Sequence, residues 1–389
     1  MKKIGFIPIR KGSKGIPGKN TRKMLGRPLY AWVLGEAILS QLDEVYVFTD
    51  DEGVVSAIER EYSWTAKVTA RLRSAENATD TASTESALAE FLSGHENPDD
   101  IICLLQATSP LTTAADIDKV LEKVASGQAD SALSVVRTHR FLWSEEGAPL
   151  NYDYMQRPRR QDFTGTLVEN GAVYATNGRT YAETRNRLGG KVAVVEMPEE
   201  TLIEIDHETD WQVCETLLAA RLSGKSAAHG PIRYLVLDVD GVFTDAGVYY
   251  NEEGEFGKRF DMRDGMGLEI LRQHGVGVMV ITSEQSPLVA ARMRKLGVQD
   301  AYLGVKDKFS RLTEILGSRN IDFSSIAYIG DDVNDLACIC AAGWGLAPAD
   351  ATVTVQRHAD IIMRHSGGHG AIREACEFII KHNKRHDSV

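Results

Sequence analysis

Short, apolar, β-branched runs alternate with helix-length amphipathic stretches along most of this chain, and that alternation restricts its fold more than any other feature. In the first half, "KIGFIPI", "EVYVFTD", "DIICLLQ" and "SALSVV" alternate with "LYAWVLGEAILS" and "AADIDKVLEKVAS". In the second half, "YLVLDVD", "GVGVMVIT" and "SIAYIGDD" alternate with "GLEILRQH", "PLVAARMRKLG" and "KFSRLTEILG". Strands separated by helices need crossover connections, so both halves are expected to be α/β with largely parallel sheets and ligand sites at the carboxyl ends of the strands. A small, polar stretch, "SGKSAAHGP", follows the helical pattern "WQVCETLLAARL" and divides the halves. It places the domains at 1–222 and 231–389, joined by a linker at 223–230. At 389 residues and 43% hydrophobic, the chain can give each half its own core.

The net charge of -11 excludes a general affinity for nucleic acid or anionic membrane, because both require a broad face rich in Lys and Arg. Local clusters of cations must then be read as sites. Five cysteines, an odd number, fit reduced thiols better than a disulfide framework, and the CxC at Cys338 and Cys340 reads as buried packing. The apolar run after "MKK" is broken at Pro8 and Arg10, unlike a signal peptide, and no segment reaches the roughly 20 apolar residues of a membrane helix. A soluble, cytoplasmic protein is expected.

The first strand runs into "IPIRKGSKGIPGKN", where Arg10, Lys11, Lys14 and Lys19 stand among three glycines. Backbone amides and cations can converge there on one polyanion, in a loop that is not of the Walker type. Asn20 adds an amide able to read a base or sugar edge. With Thr49 and Asp50, "RLRSAENATDTAS" (71–83), "LLQATSPL" (104–111), "RPRRQDF" (157–163) and "ENGAVY" (169–174), this loop resembles the CMP-sialic acid synthetases across residues 1–222.

That resemblance implies a Rossmann-like nucleotidyltransferase sheet and transfer of a cytidylyl group. The anomeric hydroxyl of a nine-carbon keto acid would attack the α-phosphorus of CTP and release pyrophosphate. By this likeness Arg10, Ser13, Lys14 and Lys19 would hold the triphosphate, and Lys19 and Asp206 would serve catalysis. Asn20, Thr49 and Arg71 would face the cytidine, while Gln106, Arg159 and Asn170 would meet the sugar acid. Arg157 and Arg160 are competing carboxylate ligands, since a carboxylate suits a forked guanidinium. In "LIEIDHETD", Glu204 and Asp206 alternate along an expected short strand, so both carboxylates face one side and can share a Mg²⁺ ion. Bacterial members of the family usually have aspartate where Glu204 stands, which leaves direct ligation by Glu204 and contact through water as alternatives, with Asp206 the firmer ligand. The ion would screen the phosphates and lower the pKa of the attacking hydroxyl. His139 and Arg140 stand where some bacterial forms present a lysine.

The second half opens on "DVDGVFTD", and further chemistry-bearing residues follow the next strands: Thr282 in "VITSE", Lys308 in "VKDKF", and Asp331, Asp332 and Asp335 in "YIGDDVND". This order resembles the haloacid dehalogenase phosphatases over residues 231–389. Asp238 is then the expected nucleophile and Asp240 the acid that protonates the leaving oxygen and later activates water. Thr282 and Lys308 would hold the phosphoryl oxygens, with Lys308 also steadying the nucleophile. Asp238, Asp240 and Asp331 would bind Mg²⁺, with Asp332 and Asp335 as supports behind them.

Between "DVDG" and "VMVIT" there is room only for a hairpin, "AGVYYNEEGEFGKRF", and one helix, "GMGLEILRQHG". No cap domain fits, so the domain is expected to be a capless, haloacid dehalogenase-like Rossmannoid unit. "FDMRDGMGLEIL" and "GGHGAIREACEFII" resemble the sugar-acid phosphatase branch, in which a neighbouring subunit closes the pocket of a tetramer. Octulosonate 8-phosphate phosphatases typically carry "GR" after the threonine, where this chain has Ser283 and Glu284. Arg292 and Lys295 follow on a helix, spaced as in phosphatases of nine-carbon acid 9-phosphates. Glu284 would accept from sugar hydroxyls, and a cation would meet the substrate carboxylate. The expected enzyme is bifunctional: it dephosphorylates a nonulosonic acid 9-phosphate and activates the free acid with CTP. Two alternatives compete, a transferase whose second domain is a silent oligomerisation module, and an octulosonate (KDO-type) substrate.

Overall fold

The strands Val68–Leu72, Glu44–Thr49, Lys3–Pro8, Ile101–Leu105, Thr166–Asn177, Ser131–Thr138 and Val192–Met197 lie side by side in that order in one sheet. The computed structural model describes residues 1–12, 15–79, 81–93, 97–224 and 230–386. Ser13, Lys14 and positions 225–229 of the expected linker lie outside the described residues. The sheet is parallel except for Thr166–Asn177, which runs antiparallel to both its neighbours. It is therefore mixed, and the single reversed strand is the departure from the parallel pattern.

Connections from Lys3–Pro8 go first to Glu44–Thr49 on one side and later to Ile101–Leu105 on the other. This reversal of strand order opens a crevice at the carboxyl ends of Lys3–Pro8 and Ile101–Leu105. Register fixes what meets there: Phe6 pairs with Leu104 and Pro8 with Phe48, so Arg10, Asp50 and Gln106 leave the sheet near one another. Two apolar layers hold the sheet: Ile7, Val47, Cys103, Leu34 and Val120 belong to one core, and Phe6, Phe48, Phe91, Leu104 and Tyr174 to another.

The second sheet has six parallel strands, ordered Asp300–Tyr302, Gly277–Ile281, Tyr234–Leu237, Ile326–Ile329, Trp344–Ala347 and Ile361–Ile362. Leu237 pairs with Val280 on one side and with Ile329 on the other. Asp238, Thr282 and Asp331 therefore emerge from three adjacent strands at nearly one height. Thr244–Asn251 and Gly254–Phe260 form the expected hairpin, and the helix Met262–Gln273 follows at once. Buried Asp264 on that helix accepts from the backbone N–H groups of Arg373 (2.8 Å) and Gly370 (3.3 Å), which ties it to the "GGHG" turn and the final helix.

The chain forms two compact units, residues 1–22 with 28–214, and residues 23–27 with 215–389. The helix Glu208–Gly224 runs across the sequence position of this division and past the expected domain end at 222. Among the described residues no helix is long and apolar enough to cross a membrane.

Candidate active sites

In the first unit, a cavity of about 280 Å³ opens at the crevice between the two central strands. Arg10, Lys19, Asn20, Gln106 and Thr108 line it, together with Arg73, and no carboxylate belongs to its described lining. Three cations facing one cavity in a chain of net charge -11 make a site for a polyanion. Asn20 Nδ2 donates to the Arg10 carbonyl oxygen at 3.1 Å and so fixes the loop's return. Lys19 Nζ reaches the Ile205 carbonyl oxygen at 2.5 Å and Asp206 Oδ1 at 3.1 Å.

Thr49 and Arg71 are not in this lining. Thr49 is buried, its Oγ1 accepts from the Asp51 N–H at 3.1 Å, and its carbonyl accepts from the Arg73 N–H at 2.9 Å. The Arg71 guanidinium lies over the Tyr46 ring at 4.6 Å, so its cation is spent on an aromatic face. Arg73, two residues on, lines the cavity where Arg71 does not. Its side chain is 6% exposed and its Nη2 lies 3.8 Å from Asp50 Oδ1. Its Nε and Nη2 have no hydrogen-bond partner among the described residues. Burial, the largest cause, lowers its pKa against the pull of Asp50, and a bound anion would relieve that cost. The sequence held the signal: Val68–Leu72 ends at Leu72, so Arg73 is the arginine at the carboxyl end, where sites form.

Glu204 and Asp206 do not lie on a strand. Ile203 to Asp206 is irregular chain between a 3-10 turn, Glu199–Leu202, and the following helix, where the Ile205 N–H donates to the Thr108 carbonyl oxygen at 3.4 Å. The two carboxylates are nonetheless close enough to interact: burial first, then the charge of Asp206, raises the Glu204 pKa. Two oxygen donors, with Lys19 paired to Asp206, suit a hard divalent cation. Asn170 is placed otherwise than expected. It is buried, accepts from Ser134 Oγ at 2.7 Å and donates to Thr201 Oγ1 at 3.2 Å, so its amide is used inside the fold. Arg159 is exposed and pairs with Asp162 at 2.6 Å. A second cavity, of about 560 Å³, is lined instead by Arg140, Arg157, Arg160, His139 and the aromatic rings of Phe141, Trp143 and Tyr152.

In the second unit, Lys308 Nζ lies 2.6 Å from Asp238 Oδ2 and 2.8 Å from Asp335 Oδ1, with all three side chains buried. Carboxylate oxygens of Asp238, Asp331 and Asp335 fall within 4.8 Å of one another. Asp335 also accepts from Tyr328 OH at 2.6 Å and from the Asp331 N–H at 3.2 Å, and Asp238 Oδ1 accepts from the Val239 N–H at 2.7 Å, which leaves Asp331 the least committed of the three carboxylates. Burial is the first cause raising both, and it pushes Asp331 up to about 8 with help from Asp335 and Asp238. Crowded, dehydrated carboxylates around an incomplete positive charge are a donor set that could hold a divalent cation. Gly241, at φ +76°, is needed here, since a Cβ would stand 2.0 Å from Asp331 Oδ2.

Asp240 does not join that carboxylate cluster. Its Oδ1 accepts from buried Lys258 Nζ at 2.6 Å, and its Oδ2 is buried with no partner among the described residues. Lys258, on the hairpin, is a participant the sequence reading missed. Thr282 is buried directly after its strand, and its Oγ1 accepts from the Glu284 N–H at 3.4 Å. Exposed Glu284 lies 3.5 Å from Lys306. The Arg292 guanidinium lies over Phe260 at 5.5 Å, whereas Lys295 is exposed.

Residues 4–209 match the cytidylyltransferase family, and residues 302–375 match the haloacid dehalogenase-like hydrolases. The N-acylneuraminate cytidylyltransferase of Oncorhynchus mykiss is 35% identical over 98% of this chain and 89% of its own length. The chain belongs to the cytidylyltransferase family. Its second unit is similar to the 3-deoxy-D-manno-octulosonate 8-phosphate phosphatase KdsC of Haemophilus influenzae, 34% identical over 39% of this chain and 83% of the relative. The solved phosphatase of that name from Moraxella catarrhalis, in complex with magnesium, phosphate and KDO, is 34% identical and covers 43% of this chain and 95% of its own, with a TM-score of 0.39. This cytidylyltransferase thus carries a haloacid dehalogenase-type phosphatase unit in the same chain.

Proposed function

We propose that the chain performs two reactions on one sugar acid: hydrolysis of a nonulosonic acid 9-phosphate, then transfer of CMP from CTP to the free acid. The observation that supports this reading is the buried contact between Lys308 and Asp238 beside Asp331, groups suited to phosphoryl transfer. A silent oligomerisation module has no use for a lysine and three aspartates converging at such electrostatic cost.

In the hydrolase unit, an Asp238 oxygen forms a bond to phosphorus as the bond from phosphorus to the C9 oxygen breaks, and Asp240 gives its proton to that oxygen. Water then attacks the phosphoaspartate and returns a proton to Asp240, which frees phosphate and Asp238. Lys308 and Thr282 hold the phosphoryl oxygens throughout. Asp238 and Asp331 would bind Mg²⁺, which when bound supplies charge neutralisation for the phosphoryl group. Glu284, Arg292 and Lys295 would meet the sugar acid.

In the transferase unit, the anomeric oxygen of the acid bonds to the α-phosphorus of CTP, the α–β bridge breaks, pyrophosphate leaves and the hydroxyl proton is released. Arg10 and Lys19, with Ser13 and Lys14, would neutralise the triphosphate, and Arg73 joins them. Glu204 and Asp206 would hold a second Mg²⁺. Gln106, with Arg157 and Arg160, would orient the acid.

The hydrolase site carries no cap, and Tyr249, Tyr250 and Phe256 of its hairpin are exposed. Such a hairpin suits a neighbouring copy, and a homotetramer in the cytoplasm completes the reading. The octulosonate named for the phosphatase relatives is the competing substrate. Purified protein with Mg²⁺ is offered N-acetylneuraminate 9-phosphate, the deaminated 9-phosphate and KDO 8-phosphate, with and without CTP, while phosphate and CMP-sugar are followed. Turnover of the 8-phosphate alone would replace the nonulosonate assignment.

A further inference from the structure

Five residues from the start of the chain, 23–27, group with the second unit although residues 22 and 28 group with the first. Within that unit Arg27 makes a two-pronged ion pair with Asp307, Nε to Oδ1 at 2.8 Å and Nη2 to Oδ2 at 2.9 Å. Arg27 Nη2 also donates to Ser310 Oγ at 2.7 Å, and the guanidinium lies 4.9 Å from the Phe309 ring centre. Both charged side chains are nearly sealed, at 4% and 3% exposed.

Asp307 is the N-cap of the helix Lys308–Ser318, accepting from the Ser310 N–H at 3.2 Å. The next residue is Lys308, whose ammonium reaches Asp238. A forked guanidinium fixes a carboxylate in both position and plane, so it also fixes the helix start that presents Lys308. A second contact bears on the same lysine. Gly26, at φ +81°, has the place of its absent Cβ 1.7 Å from the Val333 carbonyl oxygen, so the segment lies directly on the turn Val333–Asp335 that supplies the lysine's other partner.

We infer that Arg27 is a positioning residue for the phosphatase reaction, holding Lys308 at the distance from Asp238 that phosphoryl transfer requires. The inference rests on the hydrolase reading above. It makes a segment from the amino-terminal part of the chain an integral piece of the hydrolase unit, so residues 231–389 do not contain the whole of it. A buried ion pair whose removal leaves a lone charge is a device for geometry more than for net stability.

The test uses the full chain with Mg²⁺, following phosphate release from N-acetylneuraminate 9-phosphate and from p-nitrophenyl phosphate, and cytidylyl transfer to free acid as a control. Arg27→Ala is expected to lower kcat for phosphate release by about 10²-fold, the cost of a misplacement near 1 Å, with KM and cytidylyl transfer unchanged. Arg27→Lys, which reaches only one oxygen, should recover part of the loss. Asp307→Ser keeps a cap acceptor while removing the ion pair, so it carries the same test if Arg27→Ala is poorly folded. The double variant Arg27→Ala/Asp307→Ser should be no slower than the worse single one, because both remove one device. Unchanged kcat in Arg27→Ala, or losses that multiply in the double variant, would overturn the inference while leaving the hydrolase reading in place. Absence of phosphate release from the unaltered chain would overturn that reading and this inference with it.

Discussion

The Lys308 ammonium lies 2.6 Å from Asp238 Oδ2, and neither side chain has meaningful contact with solvent. A lysine taken out of water keeps its charge only when carboxylates surround it, and here Asp238 and Asp335 raise its proton affinity against burial. The ammonium therefore opposes the burial that raises the proton affinity of Asp238 and aims its carboxylate, and it remains on hand for the oxygens of an arriving phosphoryl group.

Replacing this lysine should damage stability and chemistry together. Lys308→Met leaves two buried carboxylates without their cation, a change that typically costs about 3–5 kcal/mol. Thermal unfolding should show the transition of the hydrolase unit moving down while CMP-sugar formation by the folded protein persists. A variant with wild-type unfolding and wild-type phosphate release would remove the ammonium from the site.

In the transferase cavity the two neighbouring arginines should separate cleanly. Arg73→Ala removes a cation whose Nε and Nη2 have no hydrogen-bond partner among the described residues. Hydrogen bonds to charged groups contribute about 1.5–3 kcal/mol, so KM for CTP should rise about 10- to 150-fold. Arg71→Ala, which loses a contact with Tyr46, should move KM for CTP far less. Steady-state kinetics with CTP varied decides between them, and a larger effect at Arg71 would reverse the assignment.

Metal should stabilise the hydrolase unit through Asp238 and Asp331, of which Asp331 has no ion pair among the described residues. At a concentration about 100 times its dissociation constant, Mg²⁺ adds about 2.7 kcal/mol to the unit that binds it. Asp331→Asn should abolish most of that increment and Asp332→Asn should keep it, since Asp332 caps a turn by accepting from the Val333 N–H. Differential scanning fluorimetry with Mg²⁺ and with chelator reads both variants.

Acid should loosen the helix Met262–Gln273 in a way that depends on its cap. Arg263, by hydrogen bond, holds the Asp261 carboxyl down at about 2, below the value near 3.9 of an unfolded aspartate. A depressed carboxyl contributes stability above the unfolded value and loses it as pH falls through the folded one. The contribution is therefore complete above about pH 4 and gone below about pH 2. Asp261→Asn should flatten this part of the stability profile, and an unaltered acid limb in urea titrations would contradict the pairing.

The α/β alternation and the placement of Asp238 and Thr282 at strand ends were legible because apolar runs of the right length ended on chemistry-bearing residues. Asp238 and Thr282 follow their strands directly and Asp331 stands one residue further on, after Gly330, and register then brings them together. Side chains whose role depends on partners distant in sequence were not legible. Asn170 reads as a sugar ligand until Ser134, on a neighbouring strand, is seen to use its oxygen. Glu204 and Asp206 alternate as a strand would, but the segment forms no ladder among the described residues. Arg27 and Asp307 stand 280 positions apart, and no local periodicity records such a pair.

One experiment bears most directly on the claim that a single chain holds two independent phosphorus chemistries. Asp238→Asn protein is incubated with Mg²⁺, CTP and either free N-acetylneuraminate or its 9-phosphate, and both CMP-sugar and inorganic phosphate are measured. The account predicts wild-type CMP-sugar from the free acid and no phosphate from the 9-phosphate. Phosphate release at the wild-type rate, or loss of both activities in a folded variant, would contradict it.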